Sequence, residues 1–373
     1  MKRFFIHLFL LCFSLFFLFG CDKESERTMI NLPSPSTQTS DSIPQEVPEE
    51  KDTSTLPLSE GMVRSPLTNL PVSEEVASLR PLAVMIPNDA SALPQYNISK
   101  ADILYECLVE GNLTRLMGIF GDWTSLERIG NIRSCRDYFV YWAFEWDAIY
   151  IHAGGPFYIK DVIGRSDTQN IDALTAPEGV FYRTTDRSAP QNLYFDGNTL
   201  YREIQRLNYP LQTRIGYSDG NHFHFTSSSG TMEQYPNAAS ALQIDLTKAY
   251  PITGTQFKYN ENDGLYYRYQ SPSGGAHMDA ANGEQLSFKN VLVQFAYYEV
   301  RDDQGYLAFQ CIDSRRDGWY FTEGKGIHIN WIKTSDYGST RYYDDQGNEI
   351  LLNEGKTMIC IVPEGSTFSF SNK

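Results

Sequence analysis

The chain lacks every short motif that announces a familiar chemistry. It has no GxSxG elbow to present a serine, no P-loop to cradle phosphates, no HExxH pair and no EF-hand loop. A Cys/His signature with transpeptidase-like spacing is also missing. Cysteine is scarce, with six residues and no CxxC spacing, which argues against a zinc site. Cys107, Cys135, Cys311 and Cys360 lie in or beside apolar stretches. Four scattered cysteines allow three disulfide pairings, and sequence cannot choose among them or against buried free thiols. Positive charge is in deficit: 31 basic against 46 acidic residues give a net charge of −15. This charge argues against nucleic acid or an anionic membrane surface as a broad partner. An anion site on such a chain has to be a local pocket of Arg or Lys.

What is present begins with the N-terminus. Lys2 and Arg3 precede an apolar run ending in Leu18-Phe19-Gly20-Cys21. A positive segment, an apolar segment and a small residue before the cut describe a bacterial secretory signal, and the Cys that follows describes its lipoprotein variant. Residues 1–20 are expected to be removed, and Cys21 to carry diacylglycerol and palmitate. The mature protein is then tied to the extracytoplasmic face of the cell membrane. The competing reading is an uncleaved membrane helix over residues 4–20, which is nearly long enough to span. Residues 21–60 are rich in Ser, Thr, Pro, Asp and Glu, with almost no aromatic residue. They cannot bury enough apolar surface to offset their ordering entropy, and read as a disordered acidic tether.

The remainder is longer than one core usually serves, so two domains are expected, over residues 61–220 and 221–373. In the first, residues 81–86 (PLAVMI) read as a buried strand, and 103–109 with 114–120 as a hairpin turning at Glu110-Gly111-Asn112. Ser134 reads as the N-cap of a helix running to about Glu145. Residues 148–152 read as a strand that ends in Gly154-Gly155-Pro156, with helices predicted over 157–163 and 199–207. The second domain reads as strands at 257–259, 265–269, 291–300, 306–312, 318–321, 327–333, 340–343 and 358–362, separated by Gly, Asp and Asn. Turns are expected at 302–305 and 344–348. The fold class is mixed α/β (α+β): a mixed-sheet N-terminal domain and an antiparallel, β-rich C-terminal domain.

The densest polar signal runs from Glu106 to His152. Arg115 sits on the second hairpin strand, Arg133 and Arg136 flank the helix start, and His152 ends a strand before Gly154 and Gly155. Strand ends and helix N-termini are where mixed sheets present ligand groups. Arginine offers planar, bidentate donors to phosphate or carboxylate, and glycine permits close backbone approach. These six residues are therefore the candidate anion pocket. The alternative pairs the arginines with Glu106, Glu110 and Asp137 as structural ion pairs. Residues 186–194 form a polar stretch that reads as a lid over the pocket or as an ordinary turn. His277 with Asp279, and His222 with His224, are alternate pairs, too few for a metal site without a third ligand. No cofactor and no metal are expected. The partners expected are the membrane, through lipid on Cys21, and an anionic wall polymer or a wall-assembly protein.

Several of these stretches together resemble the YerB-like family of bacterial lipoproteins, whose domains have no assigned function. They are Arg80-Pro81-Leu82-Ala83-Val84-Met85-Ile86, Ala101-Asp102-Ile103-Leu104-Tyr105-Glu106, Val109-Glu110-Gly111 through Thr114-Arg115, Ile129-Gly130-Asn131-Ile132-Arg133-Ser134 and Asp147-Ala148-Ile149-Tyr150-Ile151-His152-Ala153-Gly154-Gly155. In the second half they are His277-Met278-Asp279, Gly283-Glu284-Gln285-Leu286-Ser287 and Lys289-Asn290-Val291-Leu292-Val293-Gln294. The resemblance implies two family domains on a mixed scaffold and supplies no reaction. Cys135 stands where the pattern leads one to expect a small residue such as Ala. A looser likeness, in the order Asp102, Arg115, Arg133 and the strand into His152, is to the LytR-CpsA-Psr phosphotransferases. These enzymes act on polyprenyl-pyrophosphate-linked wall polymers. That likeness implies a metal on Asp102, with Arg115, Arg133 and Arg136 on the pyrophosphate. The readings carried forward are thus an anion-binding lipoprotein, a phosphotransferase and a non-catalytic envelope scaffold.

Overall fold

A computed structural model describes residues 58–217, 222–226, 230–270 and 275–373. The signal segment, Cys21 and the tether up to residue 57 lie outside the described residues. Eleven strands form one mixed sheet: β1 (Leu82–Pro87), β2 (Ile103–Leu108), β3 (Thr114–Phe120), β4 (Ile149–His152), β5 (Asn170–Asp172), β6 (Ala239–Ser240), β7 (Asn290–Ala296), β8 (Asp313–Thr322), β9 (Lys325–Lys333), β10 (Arg341–Tyr343) and β11 (Thr357–Pro363). Their order is β6-β9-β8-β7-β11-β2-β3-β1-β4-β5, with β10 paired to β9. Every residue of β1, β2, β3 and β11 is buried. A strand covered on both faces needs apolar side chains at successive positions, so these segments read as unbroken apolar runs.

Strand direction decides where a site can form. β7, β11 and β2 are parallel neighbours, and so are β1, β4 and β5. β3 runs against both β2 and β1. Six strands therefore point the same way, and their carboxyl ends share one edge of the sheet, the edge where open α/β sheets carry ligands.

The sheet crosses from one half of the chain into the other. β2 pairs with β11 in parallel register, from Ile103 beside Thr357 to Cys107 beside Ile361. The described residues fall within one compact unit. The halves are joined by backbone hydrogen bonds as well as by the connecting chain. Within the second half, β11 departs from the antiparallel pattern because both its neighbours run parallel to it.

Adjacent residues of β2 show what covers each face. Tyr105 points to one side, where Trp142 stacks on it at 6.1 Å and its hydroxyl donates to Glu145 Oε1 at 2.5 Å. Glu106 points to the other, as strand alternation requires, and accepts from Arg268 NH2 at 2.8 Å. The first face thus carries helix α1 (Asp137–Phe144), and the second faces a six-stranded antiparallel sheet that contains Leu265–Gln270.

Some elements differ from the sequence reading. Helix α1 starts at Asp137 with Arg136, not Ser134, at its N-cap position, because the Ser134 hydroxyl and carbonyl accept from Arg115 NH1 at 3.2 and 2.9 Å. No side chain caps α1. Helix α2 (Gly197–Arg206), by contrast, is capped by Asp196, whose carboxylate accepts from the Thr199 amide at 2.7 Å. The strand expected over 291–300 breaks at Tyr297. The chain leaves the main sheet there to form a hairpin of Tyr298–Val300 with Leu307–Phe309, turning at Asp302–Gly305 as expected.

Candidate functional site

The carboxyl edge gathers all three sequence-predicted arginines. The β1–β4 ladder ends at Val84 and Ile151. Beyond it the stretch 133–135 wedges between the two strand ends. The Arg133 amide donates to Met85 O at 2.9 Å, Ala153 N donates to Arg133 O at 3.0 Å, and Cys135 N to Gly154 O at 2.9 Å. Arg115 sits opposite Pro87 on β1 and Cys107 on β2. Cys107 shares a face with Tyr105, so Arg115 points toward α1, where Arg136 occupies the N-cap position.

The charges of this cluster do not balance. Arg136 pairs with Glu110, its Nε 2.9 Å from Oε2 and its NH2 bonded to Oε1. Glu106 is taken by Arg268, and Asp137 Oδ2 by Arg301 at 2.6 Å, while Asp137 Oδ1 is buried with no partner among the described residues. Arg115 is 6% exposed, and its Nε has no partner among the described residues. Among the described residues no acceptor or carboxylate meets the Arg133 guanidinium, whose Nε is buried and unpartnered. Burial, reinforced by the positive charges of Arg136 and Arg133, pushes the Arg115 guanidinium down to about 10. Burial works to raise the Glu110 carboxyl, but the Arg136 hydrogen bond and charge outweigh it and hold it below its usual range. Three guanidinium groups therefore share one carboxylate, and two positive charges remain uncompensated.

Aromatic residues wall the cluster. Tyr158 lies under Arg301 at 4.1 Å and beside Tyr306 at 5.5 Å, and Arg136 lies 5.4 Å from the Tyr306 ring. The Tyr158 hydroxyl is buried without a partner, and burial pushes its pKa up, so it stays a donor. Sequence reading missed Tyr158 and Tyr306. The signal for them was their place after Gly154-Gly155 and directly after the 302–305 turn.

The remaining candidates support the loop. His152 is fully buried, with Nδ1 3.0 Å from Gly154 O and Nε2 3.2 Å from Asn170 Oδ1. Gly154 has φ +64° and donates its amide to Asp172 Oδ1 at 2.7 Å. A Cβ on Gly155 would meet Ile159 Cδ1 at 2.3 Å and Cys135 Cβ at 3.3 Å. The glycines thus make room for the protein's own packing, and His152 has both ring nitrogens engaged. Asp102 lies at the other end of β2. From Asp102 to Cys107, the neighbour of Arg115, the strand climbs about 16 Å. Asp102 accepts from the Gly121 amide at 2.8 Å. Residues 186–194 close no lid over the arginines. Arg187 donates to Ala92 O and Pro94 O, and Gln191 to the Asp89 carboxylate.

Two buried networks lie elsewhere. Glu106 accepts from Asn88, Thr114, Thr255 and Arg268. Arg268 NH1 meets His277 Nδ1, and His277 Nε2 lies 2.7 Å from Gln95 Oε1. Asp279 accepts the Asn97 and Ser99 amides at 2.9 and 2.8 Å. His277 and Asp279 thus latch the second half onto the 95–99 loop of the first. Glu145 accepts from Tyr105 and Thr340 and lies 3.4 Å from Lys333 Nζ, while His222 stacks on Trp146 at 3.6 Å. All four described cysteines are buried free thiols, and burial pushes Cys135 up to about 12. No group of three or more His, Cys, Asp or Glu fit to hold a metal occurs among the described residues.

Fold and sequence together define the class. Residues 67–210 match the family described as "Protein of unknown function (DUF3048) N-terminal domain", and residues 244–359 match its C-terminal domain. The chain belongs to this family. A relative is YerB of Bacillus subtilis (strain 168), whose name marks it as a candidate lipoprotein. It is 26% identical over 309 residues, covering 83% of this chain and 89% of that one. The crystal structure of YerB from Bacillus subtilis matches with a TM-score of 0.71 and 25% identity, over 82% of this chain and 99% of that chain. The YerB-like resemblance and the mixed fold class expected from the sequence are therefore those of the family.

Proposed function

We propose that this protein is a membrane-anchored, extracytoplasmic lipoprotein whose folded body binds an anionic component of the cell envelope through Arg115, Arg133 and Arg136. The anchor is supported by the Leu18-Phe19-Gly20-Cys21 pattern and by the name of the YerB relative. Binding is supported above all by Arg115, a buried guanidinium with an unpartnered Nε and no carboxylate of its own. Burying an unpaired charge is costly, and a bound anion relieves that cost. His152, Gly154 and Gly155 act as supports, since Gly154 O holds the Cys135 amide and the His152 ring. The phosphotransferase reading is weaker, because Asp102 is far from the arginines. The scaffold reading draws on the exposed Tyr298 and Val300 of the 298–309 hairpin and on Tyr297 just before it.

The test is a thermal-shift screen of the full chain in detergent against wall fragments and polyprenyl phosphates, repeated with Arg133→Glu. Stabilisation that Arg133→Glu removes is the expected result. No shift with any of them moves the assignment to a scaffold for a protein partner. Labelling with a lipid precursor checks the anchor, and Cys21→Ala is expected to abolish the label.

A further inference from the structure

We infer that the group this site receives is a phosphoryl dianion, and that Glu110 is an internal carboxylate occupying part of the site until that group displaces it. The inference rests on the anion-binding reading above and adds the chemical class of the ligand and the identity of its competitor.

Charge is the first argument. Two positive charges stay uncompensated after the Arg136–Glu110 pair forms. A monoanion leaves one of them unpaired, on the buried Arg115 or the half-buried Arg133, whereas a dianion neutralises both. The arrangement of donors is the second. Arg133 offers a whole guanidinium, Arg115 its Nε and Tyr158 its hydroxyl, and α1 begins beside them with no side-chain cap. Amides at a helix start point outward along the axis and favour negative charge. These donors come from four separate elements: a strand, a loop, a helix start and the 157–159 turn. A tetrahedral phosphoryl group presents oxygens to several directions at once. A planar carboxylate presents two in one plane.

Glu110 shows the planar mode within the same cluster. Both its oxygens engage one edge of Arg136, and the other donors are left unmet. Its position also suits a removable group. It sits on the β2–β3 turn, where Gly111 and Asn112 have φ +70° and +58°, and its side chain is 32% exposed. The carboxylate can swing to solvent without disturbing either strand. Once it leaves, Arg136 joins the other donors.

The test titrates the full chain in detergent with inorganic phosphate, sn-glycerol 3-phosphate and malonate at pH 8, for the native protein, Glu110→Gln and Arg133→Gln. Phosphate or its ester is expected to bind, and the tighter of the two identifies free phosphate or an ester as the source. Removing the competing charge in Glu110→Gln is expected to tighten binding about fivefold, and Arg133→Gln to weaken it at least about tenfold. Glu110→Ser, a second variant at this exposed turn, is expected to act in the same direction as Glu110→Gln. Weaker phosphate binding by both Glu110 variants would overturn the displacement model. Malonate binding as tightly as phosphate would overturn the phosphoryl assignment while leaving the anion site standing. Binding of none of the three, or binding indifferent to Arg133→Gln, would remove the site itself.

Discussion

Replacing Arg115 with Met separates a ligand-binding arginine from a structural one, because the molecule holds a second buried arginine for comparison. Arg115 and Arg268 are 6% and 0% exposed. Arg268 has the Glu106 carboxylate at 2.8 Å, whereas Arg115 has none. The Arg115 guanidinium falls from 12.5 to about 10 on folding. At about 1.36 kcal/mol per pH unit, its charged form costs the folded state about 3 kcal/mol. The sign follows from linkage: a base with a lowered folded pKa carries the full penalty below about pH 10 and loses it as pH rises toward 12.5. Arg115→Met removes that penalty at neutral pH. It also loses the two NH1 bonds to Ser134, worth about 2 kcal/mol together. The net expectation is a protein about 1 kcal/mol more stable that no longer binds its anion, a trade common at functional sites. Arg268→Met leaves Glu106 buried and unpaired and is expected to cost about 3–5 kcal/mol. Urea unfolding at pH 7.5, followed by fluorescence of the five tryptophans, reads both variants. If Arg115→Met loses as much stability as Arg268→Met, Arg115 is a structural residue and the reasoning fails.

Two pH-dependent outcomes follow from buried carboxylates. Burial works to raise the Glu145 carboxyl, but Lys333, His222 and Thr340 outweigh it and bring it to about 2, below the ordinary 4.5. Its contribution, on the order of 3 kcal/mol, is present above pH 4.5 and lost as pH falls from there toward 2. Glu145→Gln is expected to flatten the acid limb of a stability–pH curve in that window. Asp102 behaves in the opposite sense. Burial raises it from 3.8 to about 6 against the opposing Gly121 bond and Lys356 charge, so the native protein loses stability as pH climbs from about 4 to about 6. Asp102→Asn is expected to raise stability at pH 7.5 by about 1–2 kcal/mol, solvent at the partly exposed side chain reducing the full effect, and to leave it unchanged at pH 3.5.

Local signals in the chain located most of the elements, and the long-range partnerships escaped. The run at 81–86 and the hairpin at 103–120 were readable because fully buried strands need continuous apolar residues and because Glu110-Gly111-Asn112 is a turn. The pairing of β2 with β11 left no trace, since a parallel ladder between distant segments is specified by neither alone. Helix α1 was misplaced at its start because Ser134 resembles a cap, and only the fold reveals that Arg115 claims its oxygens. The same limit applies to the site. Arg115, Arg133 and Arg136 were legible from their density. That Glu106 belongs to Arg268 and Asp137 to Arg301, leaving the cluster short of carboxylates, required the folded chain. His152 and the two glycines looked like ligand-facing residues because they end a strand, and the structure gives them hydrogen bonding and packing tasks instead.

The most direct test of the anion site is a crystal of the protein soaked in tungstate, a tetrahedral dianion visible by its anomalous signal. The account predicts one strong peak within hydrogen-bonding distance of Arg133 and of Arg115 Nε, with the Tyr158 hydroxyl turned toward it. An empty cluster, with Arg115 and Arg133 bonded only to protein carbonyls, would contradict it.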